Sequence, residues 1–508
     1  MNESVCILKR TRKRASGLLL HITSLASKYG VGDLGPEAYK FADFLSKAKQ
    51  RFWQVLPLNP TSDKSSYSPY NCTSVFAGNA MLISPEVLYK EGLLKKKEMS
   101  KKLKPATSKV DYKSAYLYKQ KLFEIAFCRF QNLHSHNEFD EFCSRNDYWL
   151  HDYALFKVLR NRFKGKKWCN WPVKIRDRDK TAMSLIKSKN AEDLCYEKFL
   201  QYVFFKQWTQ LKKYCNGSGI EIIGDIPIYV DFNSVDVWSH PEYFKLTESK
   251  RPKFVSGVPP DLFSSTGQLW NNPLYDWPRL RKNDFDWWIR RFIHNLDIFD
   301  LVRIDHFRGF VAYWQVPAGA KTAINGRWVR GPGDGFFQLL FKRINKQSII
   351  AEDLGYITSR VRQYIKNYDL TGMRVIQFGF GKNCFRNPHF PVNHTKDCIL
   401  YTGTHDNNTL KGWFDNDMNK KTKKRLCEHL GHQVSSEEIH WELIRLAMDS
   451  VAKFVIIPVQ DVLGLGSDAR MNHPGKSVGN WQWRLQPGQL ISKRASKLAS
   501  FTQKNDRA

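Results

Sequence analysis

Eight short apolar runs, each ending at a polar or turn-forming residue, most constrain how this 508-residue chain can fold. Continuous runs rich in β-branched residues are typical of parallel strands that are buried on both faces of a sheet. The stretches between the runs show helical periodicity. The sequence therefore predicts an α/β protein, a (β/α)8 TIM barrel. The runs are GLLLH (17–21), FWQVLPL (52–58), IEIIGD (220–225), LVRID (301–305), SIIAED (348–353), RVIQF (374–378), CILYTGTHD (398–406) and FVIIPVQD (454–461).

Two segments between the runs illustrate the helical periodicity. Segment 196–214 predicts a helix with one apolar face. The residues on that face are Phe199, Val203, Phe204, Trp208 and Leu211. The stretch DWWIRRF (286–292) predicts a second helix, which buries Trp288 or its neighbour.

The spacing of the runs is uneven and predicts two insertions. About 160 residues separate the second run from the third, far more than one helix needs. We therefore expect residues 1–79 to begin the catalytic barrel, 80–200 to form a mostly helical inserted subdomain, and 201–508 to complete the barrel. A second, loop-rich insertion, with many Pro, Gly and aromatic residues, is predicted at about 227–295.

Composition excludes several classes of protein. No stretch approaches 18 continuous apolar residues, so no membrane-spanning helix is expected. The ten cysteines form no CxxC pair and have no zinc-ligand spacing, which is typical of reduced thiols in a cytoplasmic protein. The net charge of +31 would suit nucleic-acid binding, but no nucleic-acid-binding motif accompanies it. We interpret the charge as a lysine-rich surface and expect no nucleic acid or membrane as partner.

Carboxylates near the ends of four runs mark a candidate site. Taken singly, an acid after a strand is typical of a turn or a helix N-cap. Barrel enzymes place their chemistry at the carboxyl ends of the strands, however, and there such acids would converge on one cleft. Arg303 and His405 stand beside them in the sequence. The acids are Asp225, Asp305, Glu352 and Asp406.

Such a cluster could bind Mg²⁺ or Ca²⁺ through several oxygen ligands, or it could cleave glycosidic bonds with two carboxyl groups. Aromatic residues near the predicted cleft favour a sugar, because aromatic faces pack on the apolar faces of pyranose rings. We expect some of these aromatics to be core residues, and we expect no metal and no cofactor. The aromatics are Tyr67, Tyr70, Phe263, Trp270, Tyr275 and Trp277.

Longer blocks run through nearly the whole chain in a fixed order. They include GLLLHITSL, FWQVLPLNPT, SPYNCTSVFAGN, GDIPIYV, VWSHPEYF, SGVPPDLFSSTGQLWNNPLYDW, LVRIDHFRGF, IIAEDLG, YTGTHDNNTLKGW and PVQDVLGLGSDARMNHPGKSVGNWQWRL. In order and spacing the chain closely resembles the 4-α-glucanotransferases called amylomaltase or disproportionating enzyme, a family of the α-amylase clan. The resemblance is weakest over about 85–195, where only helical character is recognisable.

The resemblance implies roles for three carboxylates. Asp305, in RIDHF, matches the family's catalytic nucleophile, and Glu352, in AEDLG, matches its general acid/base. Asp406, in THDN, matches the carboxylate that stabilises the transition state.

The resemblance also implies contacts around those acids. Arg303 and His405 match residues that hold the nucleophile or the sugar in the donor subsite, and Asp225 matches a barrel-rim acid of the clan. The residues that resemble further substrate contacts are Ser68, Tyr70, Trp270 and Asn472.

Physical chemistry sets demands of its own on these residues. Arg303, two residues before Asp305, should lie on the same face of its strand and favour the ionised carboxylate. Glu352 must begin protonated to act as an acid, so we expect burial and nearby acids to raise its pKa. A retaining mechanism places the two carboxyl groups about 5–5.5 Å apart.

The activity implied by the resemblance is retaining transfer of an α-1,4-glucan segment to the 4-hydroxyl of glucose or another glucan, through a covalent glycosyl-aspartate. The implied partners are maltooligosaccharides, glucose and α-1,4-glucans. Two alternatives stay open: an amylase-type hydrolase with the same residues, and a non-catalytic glucan-binding or scaffold protein. The complete set of three acids argues against the second. The sequence leaves the oligomeric state undetermined.

Loop 257–270 is predicted to cover the cleft and to supply acceptor contacts, which would exclude water from the covalent intermediate. Leu262 lies in this loop, where the family often carries a tyrosine. This difference concerns acceptor preference and product size and leaves the three acids unchanged.

Overall fold

The computed structural model describes residues 13–100, 107–260 and 264–508. Leu262 and Phe263, which the sequence places in the covering loop, lie outside the described residues. The strands are β1 (Ala15–Leu19), β2 (Phe52–Gln54), β3 (Glu221–Pro227), β4 (Phe254–Val258), β5 (Gln268–Pro273), β6 (Leu301–Asp305), β7 (Ala312–Pro317), β8 (Arg327–Arg330), β9 (Ile349–Ala351), β10 (Thr371–Val375), β11 (Cys398–Tyr401) and β12 (Phe454–Pro458).

Helices occupy most of the segments between these strands. They are α1 (Pro36–Lys47), α2 (Pro85–Lys90), α3 (Tyr112–Gln131), α4 (Asn137–Arg145), α5 (Asp147–Arg162), α6 (Val173–Arg176), α7 (Lys180–Lys189), α8 (Ala191–Gly217), α9 (Val235–Ser239), α10 (Trp277–Lys282), α11 (Asp286–Ile298), α12 (Asp334–Leu340), α13 (Ser359–Asn367), α14 (Leu410–Gly412), α15 (Lys420–Leu430), α16 (Ile439–Asp449), α17 (Val459–Leu463) and α18 (Ser492–Lys504).

Eight strands close into a parallel barrel, in the order β1-β2-β3-β6-β9-β10-β11-β12 around the ring. Each of the eight apolar runs contributes one strand, so the predicted barrel is confirmed. The barrel strands are almost entirely buried, because helices cover the outside and side chains fill the inside. All eight carboxyl ends therefore open on the same face of the barrel.

The sixth barrel strand differs from its predicted position. The sequence predicted residues 374–378, whereas β10 ends at Val375 and residues 376–378 form a 3₁₀ turn. The strand begins earlier, where Gly372 pairs with both Ala351 and Cys398. Glycine and threonine weaken the apolar signal at that point, which explains the error of a few residues.

The second insertion is more regular than the predicted loop-rich segment. A four-stranded antiparallel sheet is ordered β5-β4-β7-β8, with two strands inside residues 227–295 and two that follow β6. The sequence did not indicate it, because short strands such as FVSGV and QLWNNP contain glycine, proline and asparagine and lack clear alternation.

The first insertion contains the helices α2 to α8, in keeping with the helical character predicted for residues 80–200. The longest, α8, continues to Gly217 and buries all five residues of its predicted apolar face. In α11 both Trp287 and Trp288 are buried. Within the described ranges no helix is long and apolar enough to cross a membrane, and nine cysteines are free thiols.

Candidate active site

Strand pairing brings Asp225, Arg303 and Asp305 together at the carboxyl end of the barrel. In the register of β3 against β6, Asp225 stands beside Arg303. Nη1 of Arg303 donates to Asp225 Oδ1 and Oδ2 at 2.9 and 2.8 Å, and it lies 3.0 Å from Asp305 Oδ1. Alternation along β6 puts Arg303 and Asp305 on one face, as predicted. The guanidinium of Arg303 therefore pairs with two carboxylates.

These three groups differ in their access to solvent. Arg303 and Asp225 are buried, whereas the Asp305 side chain is 30% exposed. Burial alone would lower the pKa of Arg303, but the carboxylates of Asp225 and Asp305 raise it well above its usual value, so that it stays charged. Burial raises the pKa of Asp225, and the charge of Arg303 opposes that rise. Asp305 is thus the acid of this group that a ligand can reach.

Tyr70 and His405 add further contacts to Asp225. The Tyr70 hydroxyl donates to Asp225 Oδ2 at 2.6 Å and lies 3.3 Å from His405 Nδ1. The two rings stack with their centroids 4.8 Å apart, and the indole of Trp481 packs against both. Burial raises the pKa of Tyr70 well above its usual value, and Asp225 adds to the rise. The tyrosine hydroxyl therefore keeps its proton and holds Asp225 as a donor.

Glu352 follows β9 and is held by two backbone amides. The amide of His306 donates to Oε2 and the amide of Leu354 donates to Oε1, each at 2.7 Å. Burial raises the pKa of Glu352 to about 7, with Arg303 lowering it and Asp305 raising it. This confirms the direction that the sequence predicted. Near neutral pH a large fraction of Glu352 carries the proton that an acid catalyst needs.

Asp406 follows β11 and is the most exposed of the four acids, with 46% of its side chain accessible. Nδ2 of Asn472 donates to Asp406 Oδ1 at 2.6 Å, and His405 Nε2 lies 3.4 Å from the same oxygen. Arg470 Nη2 donates to the backbone carbonyl of Asp406 at 2.6 Å. These contacts orient the carboxylate and leave its other oxygen available to a ligand.

Trp270 and Ser68 complete the residues predicted from the sequence. The ring of Trp270, on β5, meets the ring of His306 edge-on, with the ring centres 4.9 Å apart. His306 directly follows Asp305 in the chain. The Ser68 hydroxyl accepts from the backbone amide of Tyr70 at 3.3 Å. Ser68 thus shapes the turn that delivers Tyr70, and its contacts do not extend to the acids.

Three further aromatics of the sequence prediction, Tyr67, Tyr275 and Trp277, belong to the packing of the protein. Tyr275 and Trp277 are buried in the core, as expected for some members of the set. Tyr67 stacks on Tyr112 with centroids 4.2 Å apart.

Three residues with clear structural roles here are absent from the site residues predicted from the sequence. His306 supplies its backbone amide to Glu352 from a left-handed conformation, with φ at +52°. Arg470 donates to the backbone carbonyl of Asp406. Trp481 packs against the stacked rings of Tyr70 and His405. Both lie inside a long C-terminal block, but nothing in their spacing indicates a contact with a particular acid.

Within the described residues, no three His, Cys, Asp or Glu side chains are grouped so that they could hold a metal ion. The acids of the rim are instead matched by an arginine, two backbone amides and an asparagine. A closed parallel barrel with an arginine-paired acid and a second carboxyl of raised pKa at its rim is the framework of a barrel enzyme that acts on glycosidic bonds.

Comparisons with known proteins narrow this class. A family profile described as 4-alpha-glucanotransferase matches residues 20–491. The 4-alpha-glucanotransferase of Aquifex aeolicus is 46% identical over 473 residues, which cover 93% of this chain and 96% of the relative. That of Thermus thermophilus is 44% identical, with 97% and 99% covered. The chloroplastic/amyloplastic 4-alpha-glucanotransferase of Solanum tuberosum is 43% identical, with 93% and 82% covered.

Among solved structures, the amylomaltase of Streptococcus agalactiae in complex with acarbose superposes with a TM-score of 0.94 at 37% identity, covering 98% of this chain and all of that one. The chain belongs to the 4-alpha-glucanotransferase family. It is an enzyme that transfers segments of α-glucans.

Proposed function

We propose that Asp305 is the nucleophile and Glu352 the general acid/base of a retaining transfer between α-1,4-glucans. The observation that carries this assignment is the pairing of an accessible, arginine-bound Asp305 with a Glu352 whose pKa is about 7. Two carboxyl groups in these opposite states are what the two halves of a glycosyl transfer require.

In the first half, an oxygen of Asp305 attacks the anomeric carbon of the donor and forms a glycosyl ester. The bond between that carbon and the glycosidic oxygen breaks, and Glu352 gives its proton to the departing 4-oxygen. Arg303 pairs with Asp305 and orients it for this attack, since its Nη1 lies 3.0 Å from Asp305 Oδ1.

In the second half, Glu352 acts as a base. It takes the proton of an acceptor 4-hydroxyl, whose oxygen attacks the anomeric carbon and releases Asp305. The acceptor is glucose or another glucan, and the donor is a maltooligosaccharide or a longer chain. Asp406 holds hydroxyls of the donor ring while positive charge develops, and Tyr70 and His405 line the donor subsite.

The hairpin of β4 and β5 favours transfer over hydrolysis by covering this cleft. The two strands pair antiparallel, from Val255 opposite Pro273 to Val258 opposite Gln268. Trp270, on β5, contacts His306, the residue that follows Asp305. The covered glycosyl ester reacts with a sugar hydroxyl, because water is excluded from the cleft.

Incubation with maltotriose tests the proposal. We expect glucose and a ladder of longer maltooligosaccharides at a constant number of reducing ends. A rise in reducing ends without a ladder would identify the hydrolase alternative. Asp305→Asn, which keeps the shape of the side chain, should remove both signals while the circular dichroism spectrum stays unchanged. Substantial turnover by that folded variant contradicts the assignment of the nucleophile. Cytoplasmic location remains a prediction, which fractionation of cells of the source organism would test.

A further inference from the structure

A second cavity lies apart from the acid cluster, where the first insertion meets the barrel. Its walls come from the segment after β2 and from the helices α5, α9 and α11 with their flanking turns. It has a volume of about 250 Å³ and is partly open to solvent. Pockets for drug-sized ligands have volumes of about 300–1,000 Å³, so this cavity suits a smaller group, about the size of one ring. None of the ten site residues predicted from the sequence lines this cavity.

The buried wall of the cavity is aromatic. Phe76, Trp149 and Trp287 are each at most 7% exposed, and the rings of Phe76 and Trp287 meet edge-on at 6.2 Å. The entrance is amphipathic: Tyr148 is 41% exposed, and the guanidinium of Arg290 lies 5.9 Å from the centre of its ring. A ligand would therefore meet flat apolar faces inside and polar groups at the opening.

Polar groups also reach the cavity wall. The buried carboxyl of Asp236 accepts from the Val75 amide at 3.1 Å through Oδ2, and His240 lies on the next turn of the chain. The indole N–H of Trp287 is buried and has no hydrogen-bond partner among the described residues. That nitrogen is enclosed by the protein, and the exposed polar groups of the lining include those of Tyr148, His240 and Arg290.

This mixture of groups selects the chemical class of ligand. An anion is disfavoured by the carboxyls of Asp152, Asp236 and Asp286, two of which form ion pairs with arginines. The cavity walls also lack a group of acids and histidines suited to a metal ion, within the part of the chain that the structure describes. Aromatic faces with both donors and acceptors suit a neutral, polyhydroxylated ring, a pyranose.

We propose that this cavity is an auxiliary site for a glucose unit of a long α-glucan. The choice of ligand rests on the α-glucan activity of the family, and the site itself rests on the cavity. Because α11 leads directly into β6 and runs antiparallel to it, the end of α11 that carries Asp286 and Arg290 lies toward the carboxyl end of the barrel. A chain held in the catalytic cleft can thus extend along this face and place a distant unit in the cavity.

Substrate length provides the test. In Trp287→Phe and Tyr148→Ala, we expect the KM for amylose to rise about fivefold, as expected for loss of an aromatic contact, while kcat and KM for maltotriose stay unchanged. Maltotriose is too short to occupy both sites. Tyr89 on α2 is about equally exposed, so Tyr89→Ala serves as the control. It should leave KM and kcat for both substrates unchanged. Tyr148→Ala removes an exposed ring, so it keeps the test valid if Trp287→Phe fails to fold.

Direct binding gives a second readout. In the background of the Asp305→Asn variant, we expect the heat of maltose binding, measured by calorimetry, to decrease when Trp287→Phe is added. Equal effects on amylose and maltotriose, or no effect on either in a folded variant, would overturn the proposal. Failure of the catalytic assignment looks different, because it shows in the maltotriose products of the unmodified protein.

Discussion

Glu352 accepts a 2.7 Å hydrogen bond from the backbone amide of His306, the residue that directly follows Asp305. The left-handed conformation of His306 turns this amide toward Glu352, and the amide of Glu352 in turn donates to Ile304 at 3.1 Å. The end of β6 and the end of β9 are therefore joined on both sides of Asp305. The backbone at the end of β6 thus holds the carboxyl group of Glu352 beside Asp305.

The pKa of Glu352 predicts the alkaline limb of the pH profile. With a pKa of about 7, the required proton is lost above neutral pH, so kcat/KM should fall about tenfold per pH unit there. The measurement is kcat/KM on maltotriose from pH 5 to 9. Glu352→Gln should lower kcat by about 10²–10⁴-fold and remove this limb. A profile that stays flat up to pH 9 would be incompatible with Glu352 as the acid.

The same shift has a consequence for stability. The folded state binds the Glu352 proton more tightly than the unfolded chain does, because the pKa rises from 4.5 to about 7 on folding. The free energy of unfolding should therefore decrease as pH rises between these values. Asp461, whose pKa is also raised to about 7 by burial, contributes in the same window. The measurement is the difference in free energy of unfolding between the wild type and Glu352→Gln, obtained from urea unfolding at pH 5 and at pH 8. Equal differences at both pH values would refute the contribution of Glu352.

Tyr70→Phe should impair catalysis more than stability. It removes the hydroxyl that donates to Asp225 at 2.6 Å and keeps the ring stacked on His405. A hydrogen bond to a charged acceptor contributes about 1.5–3 kcal/mol, so kcat/KM should fall by about tenfold or more. Tyr275→Phe is the matched control, because its buried hydroxyl donates to the Ile228 carbonyl at 2.8 Å. The control should lower the melting temperature with little change in kcat/KM; equal kinetic losses in both variants would argue against a role for Tyr70 in the site.

Asn472→Asp should disturb Asp406. It replaces the amide that donates to Asp406 Oδ1 at 2.6 Å with a second carboxylate, which repels the first. We expect kcat/KM to fall by at least about tenfold. Asn505→Asp makes the same change at the surface, where the amide donates to Asp449 at 3.0 Å, and should leave kinetics unchanged. If Asn472→Asp behaves like this control, Asp406 does not depend on Asn472.

Shortening the hairpin between Val258 and Gln268 should raise the share of hydrolysis. With less cover, water reaches the glycosyl ester more often, and the ratio of ladder products to new reducing ends should fall. The control shortens the connection between β7 and β8 in the same sheet. An unchanged ratio in the hairpin variant, with the control also unchanged, would mean that another segment excludes water.

Much of the fold and the site could be predicted from the sequence. The barrel was predictable because strands buried on both faces need a largely apolar stretch, which each of the eight runs contains. The rim acids followed, since parallel strands end on one face. The sheet of β4, β5, β7 and β8 was not predictable, because half-exposed strands containing glycine and proline carry a weak local signal.

The sequence by itself determined which acids reach the rim and which face of β6 holds Arg303 and Asp305, because chain periodicity is a local property. Only the tertiary structure decided the state of each group. The pKa of Glu352 depends on its burial and on Arg303 and Asp305 nearby, and its position depends on the His306 backbone. The second cavity likewise exists only because α5, α9 and α11, far apart along the chain, pack around one space. Electrostatics and enclosed volume arise from such long-range packing, which no local pattern in the sequence encodes.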